Sequence, residues 1–441
     1  MSFLKLLKLS ESSTTSESKS TLLALDIGSS FVKCALAQPV DPSKSDKVIK
    51  FKKSLPSGKL KILGFARASQ MPGNMQDGRI VDIPGVIASC EKALASLEKQ
   101  TGERAKDVVV GISGELVKSR TSTIRYRRDA PTKPITEPEL QELLSKIEQR
   151  NLARLKTELS LETDNPDVKL SLINSAVVSI SIDGYRINNP VGFKGAEVLI
   201  EYYTAFAPSV AVSAIEKVCA ELELELITVV AEPFAVARAC LGDDVDVDLS
   251  AVIVDVGAGT TGVVVIDSGD ICGTKMFNIG GTSFTRQISE SLRLSPKKAE
   301  LLKLNLDDSK LSDTLIAKAT SALDRSLSVW LAGVSLALEE FKNLEPLPGD
   351  IFLSGGSSQL LPLEETLAIS DWYQTLPFSK RPLVHVLDPL TLPDFVFEDV
   401  ELKIDPSFVV SLGLLRVAVD TLLVSPDKNS LKAKLSKLLS H

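Results

Sequence analysis

The sequence predicts an α/β protein built by duplication, with one binding cleft between its two halves. Two stretches carry that expectation. Ser250 to Ser268, SAVIVDVGAGTTGVVVIDS, reads as a buried strand, a tight turn in which Gly257, Gly259 and Gly262 bracket Thr260 and Thr261, and a second strand. Thr21 to Ala37, TLLALDIGSSFVKCALA, repeats the arrangement: apolar strand, Asp26, Gly28, Ser29, Ser30, strand. β-Branched apolar runs of this length favour strands over helices. An ordinary Gly-rich hairpin would explain either stretch alone; the matching pair is specific.

GAGTTG also satisfies the dinucleotide pattern G-x-G-x-x-G, but that fingerprint must run from a strand into a helix. Here Val263, Val264, Val265 and Ile266 follow and end at Asp-Ser-Gly-Asp, which makes a strand. A turn between two strands can aim backbone N–H groups and hydroxyls at a phosphate. Asp26 and Asp255 each bring a carboxylate to the same place. Mg²⁺ keeps several waters and takes few direct protein ligands, so these two aspartates suit a role holding Mg²⁺ through water. Glu232, in ITVVAEPFAVA, ends a strand just before Pro233 opens a helix, where proline is tolerated. A carboxylate there can orient a water for in-line attack on a γ-phosphate, although a mere capping detail reads the same way.

Composition narrows the class. The 441 residues, 44% hydrophobic and 24% charged, are enough for several domains. A net charge of −7 argues against a general nucleic-acid binder. Five cysteines without C-x-x-C spacing read as buried free thiols of a reducing compartment. His385 and His441 are the only histidines, leaving little for a histidine metal site or Ser-His-Asp chemistry. With no apolar run of ~20 residues and no signal peptide, the reading is cytosolic.

In chain order, Met1 to Leu9, MSFLKLLKL, is basic and leucine-rich, and Glu11 to Ser20 is a polar tether. After the first hairpin, Pro39 to Lys61 reads as a solvated Lys-rich loop. Val86, Ile87, Cys90, Leu94 and Leu97 give Ile83 to Lys99 a helical spacing. A strand is expected at Asp107 to Ser113, a polar helix with a solvated charged face at Glu137 to Leu159, and strands at Ser175 to Ile182 and Ala196 to Thr204. Helix (Pro208 to Leu222), strand (Leu226 to Val230) and helix (Ala235 to Leu241) lead into the second hairpin. Thr282 to Leu344 is mainly helical, Asp350 to Leu353 is a strand running into Ser354-Gly355-Gly356-Ser357, and Ser411 to Leu423 is a closing helix. In the terminal SLKAKLSKLLSH, Leu431, Leu435, Leu438 and Leu439 recur at i, i+4, i+7 and i+8, with Lys432, Lys434 and Lys437 off that stripe. That is the pattern of a helix lying in a membrane surface.

ALDIGSS, AEPFAVA, VDVGAGTTG, NIGGTSF and FLSGGSSQ fall in the order and spacing of the actin–chaperone–sugar-kinase ATPase superfamily. Within it the chain resembles the bacterial cell-division protein FtsA, on an insert at about Arg104 to Thr204, on NNPVGFKG, and on the lysine-punctuated tail. The resemblance implies an actin-like, ribonuclease-H-like duplicated fold with a nucleotide cleft and an inserted strand–helix–strand–strand (1C-type) subdomain. It divides the chain into a leading stretch and tether (1–20), subdomain 1A (21–103 and 205–245), the insert (104–204), subdomain 2A (246–295 and 349–424, with the closing helix), helical subdomain 2B (296–348), and a linker with membrane helix (425–441).

The same resemblance implies ATP and Mg²⁺ as cofactors. Phosphate contacts would come from Gly28, Ser29, Ser30, Gly257, Gly259, Thr260 and Thr261. Gly280, Gly281, Gly355, Gly356 and Ser357 would line the nucleoside, and Glu300 and Lys303 match a Glu–Lys pair beside the adenosine, though a surface ion pair fits these two equally. Gly262 stands where many relatives carry an acidic residue near the attacking water, so at most slow ATPase activity is implied. The implied partners are the FtsZ tail, further copies of the chain in a filament, the inner face of the cell membrane at the division site, and other divisome proteins through the insert, with no nucleic acid. A PilM-like scaffold of type IV pilus assembly, and less so a small-molecule kinase of the superfamily, are the competing readings.

Overall fold

The computed structural model describes residues 21–40, 59–115, 117–164, 166–187, 189–242, 247–306, 310–341, 344–369, 371–397 and 404–423. The leading stretch, most of the Lys-rich loop, Asn188 and the tail leucines Leu431, Leu435, Leu438 and Leu439 lie outside the described residues.

The chain opens with β1 (Leu22–Ile27), β2 (Phe31–Val40), β3 (Lys59–Ser69), the short ribbon β4 (Met75–Gln76) and β5 (Arg79–Ile80), α1 (Ile83–Thr101) and β6 (Asp107–Ile112). There follow β7 (Lys118–Arg127), α2 (Glu137–Thr163), β8 (Leu170–Ile182), β9 (Tyr185–Arg186) and β10 (Glu197–Pro208). α3 (Ser209–Glu221), β11 (Glu225–Ala231) and α4 (Glu232–Leu241) lead to β12 (Ala251–Val256), β13 (Thr261–Asp267) and β14 (Asp270–Phe277). The last elements are α5 (Gly281–Leu292), α6 (Pro296–Lys303), α7 (Asp313–Glu339), β15 (Asp350–Ser354), α8 (Leu361–Ile369), β16 (Leu383–Val386), β17 (Phe395–Val396) and α9 (Val409–Leu423).

Three larger sheets result, ordered β11-β6-β1-β2-β3-β17, β7-β10-β8-β9 and β14-β13-β12-β15-β16. The first and third share a plan. Each has an antiparallel hairpin whose first strand also pairs in parallel with a later strand, β6 beside β1 and β15 beside β12. β1 and β12 are buried at every position, as continuous apolar runs inside a covered sheet should be. α1 presents Val86, Cys90, Ala93 and Leu97 to the first sheet and stops where Gly102 turns left-handed at φ 69°. α7 lays Leu323, Leu327, Trp330 and Val334 against the third sheet.

Four sequence expectations are corrected. Asp107–Ile112 was assigned to the insert but pairs with β1 and β11 in the first sheet. The insert's first strand is instead β7, KSRTSTIRYR, in which only Ile124 and Tyr126 give an apolar alternation and the first half is wholly polar. Its hydroxyls do other work: Ser119 Oγ donates to the Thr274 carbonyl and Thr121 Oγ1 to that of Cys272, both at 2.6 Å, so β7 rests against the outer strand of the third sheet. The third correction concerns the chain's return: β17 pairs with β3, and α9 packs its buried Leu412, Leu414 and Leu415 into the first core, not the second. Lys59–Ser69, at the end of the supposed loop, is a strand beside β2.

Helix α2 buries Leu140, Leu144 and Ile147 against Ile180, Ile200 and Tyr202 of the insert sheet. Its charges are only partly a solvated face. Glu139 forks with Nε and Nη2 of Arg128 at 2.7 and 2.9 Å, while both oxygens of Glu158 accept from Nη2 of Arg120. Cys34, Cys90 and Cys219 are buried free thiols while Cys240 and Cys272 are partly exposed, and burial pushes all five up to about 12. Among the described residues no helix is long and apolar enough to cross a membrane.

Candidate functional site

The site grows from the two hairpin turns, which close in the same way. Gly28 N–H donates to the Phe31 carbonyl at 3.1 Å, and Gly257 N–H donates to that of Thr260 at 2.9 Å. A side chain at the first glycine is excluded in one turn and crowded in the other: a Cβ on Gly28 would sit 2.9 Å from the Phe31 oxygen, and one on Gly257 3.3 Å from that of Thr260. These two glycines therefore shape the turns with their own N–H groups already used. The turns also touch each other, since a Cβ on Gly259 would lie 2.8 Å from Ser29 Oγ. Ser29 and Gly259 thus stand face to face, and the Ser30 carbonyl is held by the Gln70 N–H at 2.8 Å.

Four charged side chains meet here. Asp26 and Asp255, at the ends of β1 and β12, and Glu232, the first residue of α4, are all nearly buried. Lys33 lies directly across the ladder from Asp26, with Nζ 2.6 Å from its carboxylate and 2.7 Å from the Ser407 carbonyl. Burial alone would depress the Lys33 ammonium, but the attraction of Asp26, Asp255 and Glu232 outweighs it and holds the pKa above the usual lysine value. Burial pushes Glu232 well above the usual carboxylate range, and Asp26 and Asp255 reinforce the push; Lys33 and a hydrogen bond with Ser113 oppose it. Asp255 is raised by burial too, against the pull of Ser354 Oγ, which donates to it at 2.5 Å, and of Lys33. Three carboxyl groups thus share one ammonium in a low-dielectric cleft, and those of Glu232 and Asp255 hold their protons more tightly than usual.

A second group gathers beside the β12–β13 turn. Gly280 and Gly281 enter α5, where the Gly281 N–H donates to the Gly257 carbonyl at 3.0 Å. Ser357 Oγ donates to the same carbonyl at 3.0 Å. Gly355, at φ 84°, packs on the end of β12 so closely that a Cβ would fall 2.5 Å from the Val256 oxygen, and Gly356 opens the following turn. Lys303 Nζ reaches the Gly281 carbonyl at 3.0 Å, Thr285 Oγ1 at 2.9 Å and Glu300 at 2.8 Å. The Thr285 hydroxyl also bonds Glu300.

Two assignments change in detail. Thr261 points its hydroxyl into the core, donating to the Ile279 carbonyl at 2.6 Å and accepting from Trp330 Nε1 at 3.0 Å, so it fastens α7 to the turn and has no free hydroxyl for a phosphate. Lys303 is not half of a surface ion pair. It is 5% exposed, and burial lowers its pKa against the support of Glu300. Gly262 is equally constrained, because a Cβ there would sit 2.8 Å from Cγ of Pro233.

Lys33, Ser113, Thr285 and Ser354 were missed. A signal existed for Lys33: a lone charge in the apolar strand FVKCALA, as far after Asp26 as Gly262 is after Asp255. Nothing in the sequence marks Ser113 or Thr285, and Ser354, although inside FLSGGSSQ, gives no local sign that its hydroxyl meets Asp255.

The family model for cell division protein FtsA matches residues 252–367, and that for MreB/Mbl protein matches residues 186–304. The chain is 25% identical to cell division protein FtsA of Streptococcus pneumoniae over 356 residues, 76% of this chain and 70% of that one. Against cell division protein FtsA of Bacillus subtilis it is 22% identical over 357 residues, 77% and 74% of the two chains. Among solved structures, a PilM–PilN type IV pilus biogenesis complex superposes with a TM-score of 0.62 at 18% identity, over 90% of this chain and 98% of that one. The fold is actin-like, as the five loops imply, and the similarity to FtsA extends over most of the chain.

Proposed function

We propose that this actin-like relative of FtsA is an ATP-binding cell-division protein that polymerises at the inner face of the cell membrane and tethers FtsZ filaments to it. The similarity to FtsA across three-quarters of the chain carries this reading, and the cleft geometry supports the nucleotide. Facing turns present Ser29, Ser30, Gly259 and Thr260 to phosphate oxygens, with Lys33 as the cation between them. The surplus of carboxylates fits a divalent cation held through water by Asp26 and Asp255. Among the described residues no cluster of three or more ligating side chains would hold a metal by itself, so the phosphates would complete the shell. Bound Mg²⁺ supplies charge neutralisation on the phosphates. Glu232, lying over Gly111 with its pKa raised, orients a water or takes its proton, at a rate kept slow by the missing acid at Gly262. Gly280, Gly281, Gly355, Gly356 and Ser357, with the Glu300–Lys303–Thr285 network behind them, would border the nucleoside.

In this reading the α2 sheet is the 1C-type module for neighbouring subunits and divisome partners. The tail leucines are the membrane anchor. Burying four leucines is worth at most roughly 6–12 kcal/mol, most of it offset by ordering a short helix, so single tails hold weakly and filaments hold by avidity. The superposition on PilM keeps a pilus scaffold as the second reading. Co-sedimentation decides between them: the protein with ATP should pellet with an FtsZ tail peptide fused to a carrier and not with a PilN N-terminal peptide. The reverse result would replace the division reading.

A further inference from the structure

Away from the cleft, on the outer face of the first half, a cavity of about 370 Å³ opens between α1, the loop after it and the end of α3. This size is within the range of ligand pockets, ~300–1,000 Å³. Its floor is apolar: Leu23 of β1, Leu36 of β2, Leu94 and Leu97 of α1, and Leu222 and Leu224 after α3. Its rim is acidic, with Glu91, Glu98, Glu103, Glu221 and Glu223 and a single cation, Arg104. Arg104 lies 3.9 Å from Glu223, and Lys217 pairs with Glu221, so Glu91, Glu98 and Glu103 carry the surplus. An occupant must be apolar in the middle and basic at its edges.

The chain contains such a segment next to the groove. In Ser2 to Leu9, SFLKLLKL, helical spacing would gather Phe3, Leu4, Leu6, Leu7 and Leu9 on one side and Lys5 and Lys8 on the other. Residues 10–20 join it to β1, whose Leu23 is part of the groove floor. A chain of this length averages on the order of 20 Å end to end, which covers the distance back to the groove. The tail SLKAKLSKLLSH has a similar composition but follows α9, on the opposite face of the sheet: Gly111 of β6 faces Leu414 of α9, while its neighbour Ile112 faces Ala211 and Ile215 of α3. We infer that residues 2–9 dock in this acidic-rimmed groove of their own chain. The leucines fill the floor while the long lysine side chains reach the rim. Tethering keeps the local concentration near the millimolar range, so weak intrinsic affinity suffices. Docking hides the same apolar face that would insert into a lipid surface, so the groove keeps that segment off the membrane.

The test places photoreactive benzoylphenylalanine at Phe3 of the full chain and maps the crosslinks by mass spectrometry. Crosslinks within one chain to residues 91–105 or 221–224 are expected. Leu6→Glu with Leu7→Glu should reduce them at least ~10-fold, because apolar burial carries the contact. Glu91→Lys with Glu98→Lys should reduce them only ~2–5-fold, as exposed charge pairs do, and adding Lys5→Glu with Lys8→Glu should restore them. Crosslinks confined to other regions, crosslinks to the groove of a second chain, or labelling of the groove from a probe at Leu435 instead would each overturn the inference. The outcome is independent of whether the cleft binds ATP or the protein binds FtsZ.

Discussion

The two hairpins that frame the cleft close with the same turn and differ in charge at the position across the ladder from the aspartate. Opposite Asp26 stands Lys33; opposite Asp255 stands Gly262. The first hairpin therefore brings its own counter-ion, and the ion pair is satisfied within a single ladder. The second leaves its aspartate with a hydroxyl, Ser354, taken from a third strand, and uses the vacated space to admit Pro233 at the head of α4. Glu232 rides in on that helix. The duplication is thus preserved in backbone and broken in charge: one half supplies the cation, the other admits the candidate base.

The largest break in this comparison is Asp255→Arg, which drives a bulky cation into the space shared by the turns. ATP–Mg²⁺ affinity should fall by at least ~100-fold, the scale of disrupting a buried charge arrangement, measured by calorimetry alongside a thermal melt to confirm folding. Unchanged affinity in a folded variant would end the two-hairpin reading. Next in size is Lys33→Met. Losing a charge-assisted hydrogen bond costs about 1.5–3 kcal/mol, so the dissociation constant for ATP should rise ~10–100-fold, and a shift no larger than that of an exposed control such as Lys92→Met would remove Lys33 from the site.

Gly262→Asp asks whether the second hairpin tolerates an acid across the ladder from Asp255. Sequence alone predicts faster hydrolysis. With Pro233 so close, the variant should instead lose ~1–3 kcal/mol of stability, the usual cost of overpacking, without a gain in rate. Adding Pro233→Ala should recover stability, and faster turnover in the single variant would show that the helix head can retreat.

The smallest effect concerns Glu232. Its folded pKa is raised, so the folded state binds the proton more tightly than the unfolded chain. Its contribution to stability is full below the unfolded value of about 4.3 and is lost as pH rises through the folded value. Glu232→Gln should therefore be more stable than the parent at pH 7 in urea melts, and the difference should shrink towards pH 4.5. A pH-independent difference would mean that Glu232 titrates normally.

Sequence alone determined the parts governed by local chemistry. An apolar strand running into Asp-x-Gly and hydroxyl residues forms the same turn in both halves, so both hairpins, Asp26, Asp255 and the Gly-rich loops near Gly280 and Gly355 were legible. So was the Glu232–Pro233 junction, since proline at a helix start is a local preference. Tertiary structure decided what depends on a partner distant in sequence. Whether Lys33 is a surface lysine or the cation of the cleft rests on its facing Asp26, Asp255 and Glu232 together. Whether Thr261 meets a phosphate or the core rests on Trp330, which arrives on α7. The first half of β7 carries no strand signal because its polar side chains find partners distant in sequence, Ser119 and Thr121 on carbonyls of β14 and Arg120 on Glu158, and α9 gave no sign of returning to the first sheet because an apolar helix fits either core. Periodicity reports which face of an element is buried; only the assembled chain determines what it is buried against.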